Sequence, residues 1–483
     1  MSRFIIWFTI AFVSVWAAPF HNKQQINDIS TSVVKIYTTS VAQNYHKPWQ
    51  KGISSSSSGT GVVIEGNLIL TAAHVVNNGT FIQVKRSNEA QKYTAKVKWI
   101  AHEADLALLE VDDARFFKGV IEQKFGGLPY RQDGVVVYGY PVGGDELSTT
   151  KGIVSRIEHM EYAHSFMDHL IIQIDAPINP GNSGGPAFDQ EGHIVGIAIQ
   201  ALTGSNGIGY LVPVEVIKHF LSDIEDGKYD GFPADGIYIQ SLENKNIRDF
   251  YKLGERTGVL VEHLAKNASA KGYVQKEDVI LAVDDVPIAG DNTMKLKNNG
   301  RISSNYLIRR HQVGDMLKVK ILRDNKEMMV SFPLKKSSPI VPYEHDKSAR
   351  YYLFGGIVFV PLTVNYLQGW GRNWYSKAPI GLLYPILNQK DLDQNLDELV
   401  VLSSILPNEE NADYAEAGNI VSKVNGTKVL SLKHLADLIE KSKEQYVKIE
   451  LENSKSIILD KAKALEADKK TMQQYGIGKK MCL

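Results

Sequence analysis

From about residue 30 to residue 220 the chain is a run of short segments rich in β-branched and aromatic residues, each cut off by Gly, Asn, Asp or Pro. Thr31 to Thr38, Phe81 to Lys85, Val135 to Tyr138 and His193 to Gln200 all have the composition of strands. Many short strands joined by turns close into a sandwich or barrel, so this region is expected to be all-β. Ser54 to Ser58 interrupts the pattern and reads as a flexible loop without a catalytic role.

At 483 residues the chain has room for about three domains. Lys and Arg total 54 against 54 Asp and Glu, which leaves no electrostatic footprint for nucleic acid. A single cysteine, Cys482, rules out an intramolecular disulfide and a Cys-based metal site. The 13 histidines lack the His-x-x-x-His spacing of a helical site, so neither a metal nor a cofactor is expected. At the N-terminus, Arg3 precedes the apolar run Phe4 to Trp16 and the small residues Ala17 and Ala18, the layout of a secretory signal over residues 1–17. The run falls short of the about 20 residues that span a bilayer, so an exported protein with no membrane span after cleavage is expected. A core free of cysteine points to a bacterial periplasm, with an extracellular location as the alternative.

Pro180-Gly181-Asn182-Ser183-Gly184-Gly185-Pro186 sets one serine among glycines. Taken alone, such a run fits a surface turn. Glycine also lets backbone amides approach a ligand, and a hydroxyl held there can attack a carbonyl whose developing oxyanion those amides stabilise. Partners for that chemistry lie upstream. His74, in Thr71-Ala72-Ala73-His74, follows the apolar run Leu68 to Leu70 and is placed to act as a base. Asp105 heads the apolar Leu106-Ala107-Leu108-Leu109, where a shielded carboxylate can fix a histidine tautomer.

The order His74, Asp105, Ser183, with Asp105-Leu-Ala-Leu-Leu109 and Gly181-Asn-Ser-Gly-Gly-Pro186, resembles the chymotrypsin clan. Ile174 to Pro180 before the serine, Ser58 to Val63, Tyr138 to Gly144, Thr150 to Ser155 and Gly207 to Pro213 look specifically like the HtrA/Deg family of serine proteases. The likeness covers nearly all of residues 30–220 and implies two antiparallel β-barrels, a chymotrypsin-like domain over 25–222, with the active site between them. It implies an oxyanion hole from the Gly181 and Ser183 amides, and loops that switch between ordered and disordered states. Six positions before the nucleophile, where trypsin-like enzymes that cut after Lys or Arg carry an acid, stands Pro177. Gly207-Ile208-Gly209-Tyr210 and the strand around Ile197 and Ile199 are expected to line an apolar specificity pocket.

Two polar segments broken by Pro or Gly, residues 223–233 and 335–346, read as linkers. Between them, residues 235–334 resemble a PDZ domain. Thr257-Gly258-Val259-Leu260 matches the loop that captures a peptide's terminal carboxylate while the peptide pairs with the strand edge. Residues 350–462 partly repeat this layout: Ala417 to Val429 parallels Glu277 to Ile288, and Leu432 to Ile439 has helical apolar spacing. A second PDZ-like α+β domain is expected there, with Gly355-Gly356 at the loop position and a polar tail over 463–483. This layout is most like the plant-type Deg branch and its bacterial relatives. The resemblance implies a homo-oligomeric endopeptidase that degrades unfolded exported proteins and takes polypeptide substrates and C-terminal peptides as partners. A chaperone, or a PDZ scaffold with a latent protease domain, is the alternative.

Overall fold

Val33, Val34 and Ile36 at the start of β1 (Val33–Gln43) are fully buried, and they seed the first of two closed barrels. The computed structural model describes residues 21–199, 207–296, 299–336, 339–388, 392 and 395–483. The leader expected at residues 1–17 lies outside the described residues. β2 (Lys51–Ile64), β3 (Leu68–Thr71), β4 (Gly79–Arg86), β5 (Lys92–Ala101) and β6 (Leu106–Glu110) complete that barrel in the order β1-β2-β3-β6-β5-β4. The second is β7 (Gly134–Gly139), β8 (Ser148–Glu161), β9 (Asp168–Ile174), β10 (Pro186–Phe188), β11 (Ile194–Ile199) and β12 (Gly209–Pro213), closed as β10-β11-β12-β9-β8-β7. The strand pairings within each barrel are antiparallel, and closure leaves no strand edge exposed. The helix Val214–Asp223 then lays Val216, Ile217 and Phe220 against β11 and β12.

The serine run is a correction. Ser54 to Ser58 is strand, not loop, because β1 extends past the barrel and pairs with it from Val41↔Ser54 to Tyr37↔Ser58. Backbone pairing holds these small, mostly exposed side chains in the ladder, with a side-chain hydrogen bond between the Ser40 and Ser55 hydroxyls at 3.1 Å.

The chain enters and leaves the middle module side by side, β13 (Pro233–Ala234) pairing with β22 (Lys335–Lys336). Inside it β14 (Ile237–Ser241), β15 (Val259–Leu264), β16 (Val279–Val283), β20 (Met316–Arg323) and β21 (Lys326–Pro333) form a sheet in that order, with β17 (Val286–Pro287) beside β16. The ribbon β18 (Thr293–Leu296) and β19 (Gly300–Ser303) brings the module against β8.

The last module is the sheet β29-β28-β26-β25-β24-β23-β30, built from β23 (Tyr351–Phe354), β24 (Ile357–Pro361), β25 (Val400–Ile405), β26 (Asn419–Val424), β28 (Tyr446–Leu451), β29 (Ser456–Asp460) and β30 (Met481–Cys482), with β27 (Thr427–Lys428) beside β26. The helix Leu432–Lys441 buries Leu432, Leu435, Ala436 and Ile439, the apolar stripe of its sequence. Asp284-Asp285 between β16 and β17, and Asn425-Gly426 between β26 and β27, are matching hairpin turns, all four residues at positive φ. That is the repeat seen in the sequence.

Residues 463–483 are no solvated tail. The helix Lys461–Tyr475 buries Ala464, Asp468 and Thr471, and β30 adds to the edge of β23 through Tyr351↔Cys482 and Tyr352↔Met481. Asp468 accepts the Gly356 N–H at 2.8 Å, tying the helix to the β23–β24 turn. Among the described residues no helix is long and apolar enough to cross a membrane.

Candidate active site

Strand β3 ends at Thr71, and the chain turns at once into the short helix Ala73–Val76 that carries His74. Across from it, β5 gives way to the 3-10 turn His102–Ala104, and Asp105 follows in the left-handed region at φ 53° with its N–H on the His102 carbonyl. That turn aims the Asp105 carboxylate back at His74. Its Oδ1 accepts the His74 backbone N–H at 2.8 Å, and its Oδ2 pairs with Nδ1 at 2.7 Å. With Nδ1–H committed to the carboxylate, the free lone pair is on Nε2. Burial works against charge on both groups, yet mutual attraction prevails: His74 is raised above its ordinary value and Asp105 lowered below its own. Both hydrogen bonds of His74 among the described residues go to Asp105, and none is formed with Ser183. Such contacts tighten in a substrate complex.

Ser183 lies beside this turn. A Cβ on Gly184, at φ 83°, would stand 2.2 Å from both the Thr60 carbonyl and Thr71 Oγ1 and 3.0 Å from the Ala72 nitrogen, so glycine is what lets the serine loop approach the strand before His74. Gly181, at φ 97°, meets the same demand against the Tyr140 carbonyl at 2.3 Å. Thr60 of β2 holds the loop at two points: its N–H donates to the Ser183 carbonyl at 2.9 Å and its Oγ1 to the Gly181 carbonyl at 2.7 Å, while Oγ1 accepts from the Tyr140 N–H at 2.9 Å. The Pro180 carbonyl accepts from the Val142 N–H at 2.8 Å. In a planar trans peptide the Gly181 N–H then points the other way. The Asn182 and Gly184 N–H groups are bonded to Asn179 and Ala198, whereas those of Gly181 and Ser183 have no acceptor among the described residues. Two free amides flank one hydroxyl.

The cleft next to His74 and Asp105 has a volume of about 160 Å³ and is walled by Met160, Ile171, Ile199, Tyr210 and Tyr343, with exposed Glu161 also lining it. Of the expected pocket residues, Ile199 and Tyr210 are in this wall. Ile197 is fully buried deeper in the barrel, and Gly209 is shut in, a Cβ there meeting Ile178 at 2.5 Å. Ile208 packs against the barrel core. Pro177 is exposed and brings no carboxylate to the cleft. Thr60 and Tyr343 escaped the sequence reading. The Gly59-Thr60-Gly61 pattern hinted at close approach, but no local signal marks Tyr343, which comes from the second linker.

The expected carboxylate loop is also corrected. Gly258 does precede a strand, but β15 is paired on both sides, Val259 with Ser241 of β14 and with Ile280 of β16. Thr257 Oγ1 is bonded to the Ile288 carbonyl, and a Cβ on Gly258 would lie 2.2 Å from the Ile280 carbonyl. A peptide cannot add to a strand with no open edge; the edge strands of this sheet are β14 and β21. In the last module Gly355-Gly356 is a two-residue hairpin turn joining β23 to β24, not a loop facing a ligand.

A model of the trypsin-like peptidase domain matches residues 59–197 and a model of the PDZ domain matches residues 340–482. The barrels are thus a trypsin-like peptidase unit, the final sheet with its C-terminal helix and strand is a PDZ domain, and the chain is by class a serine endopeptidase. It belongs to the Do-like, or HtrA/Deg, family of proteases. It is 38% identical over 450 residues to putative protease Do-like 3, mitochondrial, of Arabidopsis thaliana, covering 92% of this chain and 78% of that one. It is 37% identical to protease Do-like 2, chloroplastic, of the same plant, over 94% and 75% of the two chains, and 31% identical to a serine protease DegP homolog of Plasmodium falciparum, over 88% and 60%. In fold it is similar to the HtrA-type protease AlgW with tripeptide, at a TM-score of 0.51 and 24% identity, over 64% of this chain and 95% of that one.

Proposed function

We propose that Ser183 is the nucleophile, His74 its general base and Asp105 the group that orients and stabilises the imidazolium. The observation that carries this reading is the pairing of buried Asp105 with part-buried His74 beside a serine whose own amide and that of Gly181 have no acceptor among the described residues. Ser183 Oγ gives its proton to His74 Nε2 and attacks the substrate carbonyl. The two amides receive the oxyanion, and His74 returns the proton to the leaving amine. Water, activated by His74, then releases the acyl group from Ser183. The apolar wall of Ile171, Ile199 and Tyr210 suits a small or medium aliphatic side chain at the cut.

The substrates proposed are unfolded polypeptides. The middle module is read as a first PDZ domain that receives an extended peptide at the open edge of β14, and a homo-oligomer is proposed by analogy with the family. The leader read at residues 1–17 points to a compartment beyond the cytosol; the relatives named as mitochondrial or chloroplastic set an organelle beside the periplasm as its destination.

The test compares degradation of an unfolded model polypeptide by the wild type and Ser183→Ala. Loss of hydrolysis by about 10⁶-fold in the variant is expected; undiminished hydrolysis overturns the assignment. The open Ser183–His74 contact favours a second reading, a latent resting state with holdase activity. Suppression of aggregation by Ser183→Ala would add that role. Light scattering after size exclusion reads the oligomer.

A further inference from the structure

Residues 339–346, the second linker, do not hang between modules but fold back onto the rim of the catalytic cleft. Tyr343 walls the cleft, and its ring lies 5.4 Å from Phe166 and 4.3 Å from His345. Asp346 accepts the backbone N–H of Asn78 through Oδ1 and pairs through Oδ2 with His102 Nε2 at 2.8 Å. Three histidines from distant parts of the chain converge here. The His102 and His345 rings stack at 4.2 Å, His164 lies 4.5 Å from His345, and His102 Nδ1 is 3.0 Å from His164 Nε2.

We propose that His102, His164 and His345 form a binding site for one divalent transition-metal ion, zinc by its chemistry, which fastens the linker to the turn carrying Asp105. One nitrogen of each ring lies within 4.8 Å of one from each of the others. Zinc with Zn–N bonds of about 2.0–2.1 Å holds tetrahedral nitrogens about 3.4 Å apart, inside the range already present; the His102 and His345 planes lie only 9° apart, so one ring must turn to aim its in-plane lone pair at the shared ion. Three imidazoles and an open fourth position suit zinc, which water would complete. Asp346 supplies the outer contact that metal-bound histidines usually have: by taking Nε2–H of His102 it leaves the Nδ1 lone pair facing His164. Among the described residues His345 has no hydrogen-bond partner, and only one nitrogen-to-nitrogen bond joins the three rings, so the cluster is poorly satisfied by protein alone. The rings are only partly buried, which leaves an ion a way in.

The site touches the chemistry. His164 stands 6.1 Å from His74, and Asp105 follows His102 by three residues. A dication here opposes the positive charge that His74 must take up, so zinc is expected to slow hydrolysis. This consequence rests on the peptidase reading; metal binding does not.

Chelator-treated full-length protein titrated with Zn²⁺ by calorimetry should bind one ion per chain. His345→Ala should weaken binding by more than about 100-fold and Asp346→Asn by about 10–100-fold, while His74→Ala binds as the wild type does. Equal affinity in wild type and His345→Ala, loss of binding in His74→Ala alone, or no stoichiometric binding overturns the site. If His345→Ala does not fold by circular dichroism, the Co²⁺ spectrum of the wild type decides: intense tetrahedral visible bands support it, and the faint spectrum of octahedral cobalt overturns it. Zn²⁺ should inhibit the wild type and spare His345→Ala; equal inhibition of both refutes the placement.

Discussion

His74 gives both its backbone N–H and its Nδ1–H to one carboxylate, and that concentration of partners sets its acid–base behaviour. Burial disfavours the imidazolium, but the charge and hydrogen bond of Asp105 outweigh it and raise His74 above 6.5. As a base His74 must be neutral, so kcat/KM should fall on acidification with an apparent midpoint above 6.5. Asp105→Asn removes the charge, which should move that limb to lower pH and cut kcat by about 10⁴-fold, because the amide no longer enforces the tautomer. A pH–rate profile of both proteins checks the two effects together; an unchanged limb in Asp105→Asn would assign it to another group. The residue types of this site were legible because nucleophile, base and carboxylate each sit in a short local pattern. Tyr343 was not, since nothing in Val341-Pro342-Tyr343 announces that the linker folds back.

Strand β2 does two jobs at the element scale, closing the first barrel and pinning the serine loop of the second through Thr60. Thr60→Val keeps the side-chain shape but leaves the Gly181 carbonyl and the Tyr140 N–H without Oγ1. Stability should drop by about 1–3 kcal/mol and hydrolysis by up to about 10²-fold as the Gly181 amide loses its aim. Thermal unfolding alongside single-turnover kinetics measures both. The C-terminal strand poses a separate test. Truncation after Tyr475 removes β30 and the buried Ile477, whose burial alone is worth about 1.5–3 kcal/mol. Amide exchange should then speed up in β23 and β24 while the barrels stay protected. Composition hid this element: a segment rich in Lys, Ala and Glu looks solvated, though Ala464 and Ile477, with Leu465, Met472 and Tyr475 part-buried beside them, pack into the cores of this module.

At the scale of the molecule, the middle module is docked on the second barrel through a polar seam. Arg309, from the helix Asn305–Arg309, faces His159 of β8, His169 of β9 and His219 of the helix Val214–Asp223. Burial, with the Arg309 charge adding to it, lowers His159 and His219 from 6.5 to about 4 and His169 well below its ordinary value. Between those limits the unfolded chain binds more protons than the folded one, so stability rises with pH there. The seam's contribution is complete above about pH 6.5 and is lost progressively as pH falls to about 4. Denaturant unfolding at a series of pH values should show this loss, and a flat profile across the window would place the three rings in solvent.

What the sequence determined by itself was local. Alternating β-branched residues specified the strands of both barrels, glycine and Asn or Asp at positive φ specified the hairpins, and the apolar spacing of Leu432 to Ile439 specified a helix, because each depends on backbone preference and on which face a side chain takes. The tertiary structure alone decided what depends on partners far along the chain. Ser54 to Ser58 became strand because β1 was long enough to pair with it, Gly258 lost its expected role because β14 and β16 fill both edges of β15, and the C-terminal segment became part of a sheet because β23 had an edge to offer. His102, His164 and His345 share no spacing that a sequence could reveal. They meet because two barrel turns and a folded-back linker end in one place, and convergence of that kind is a property of packing, not of local pattern.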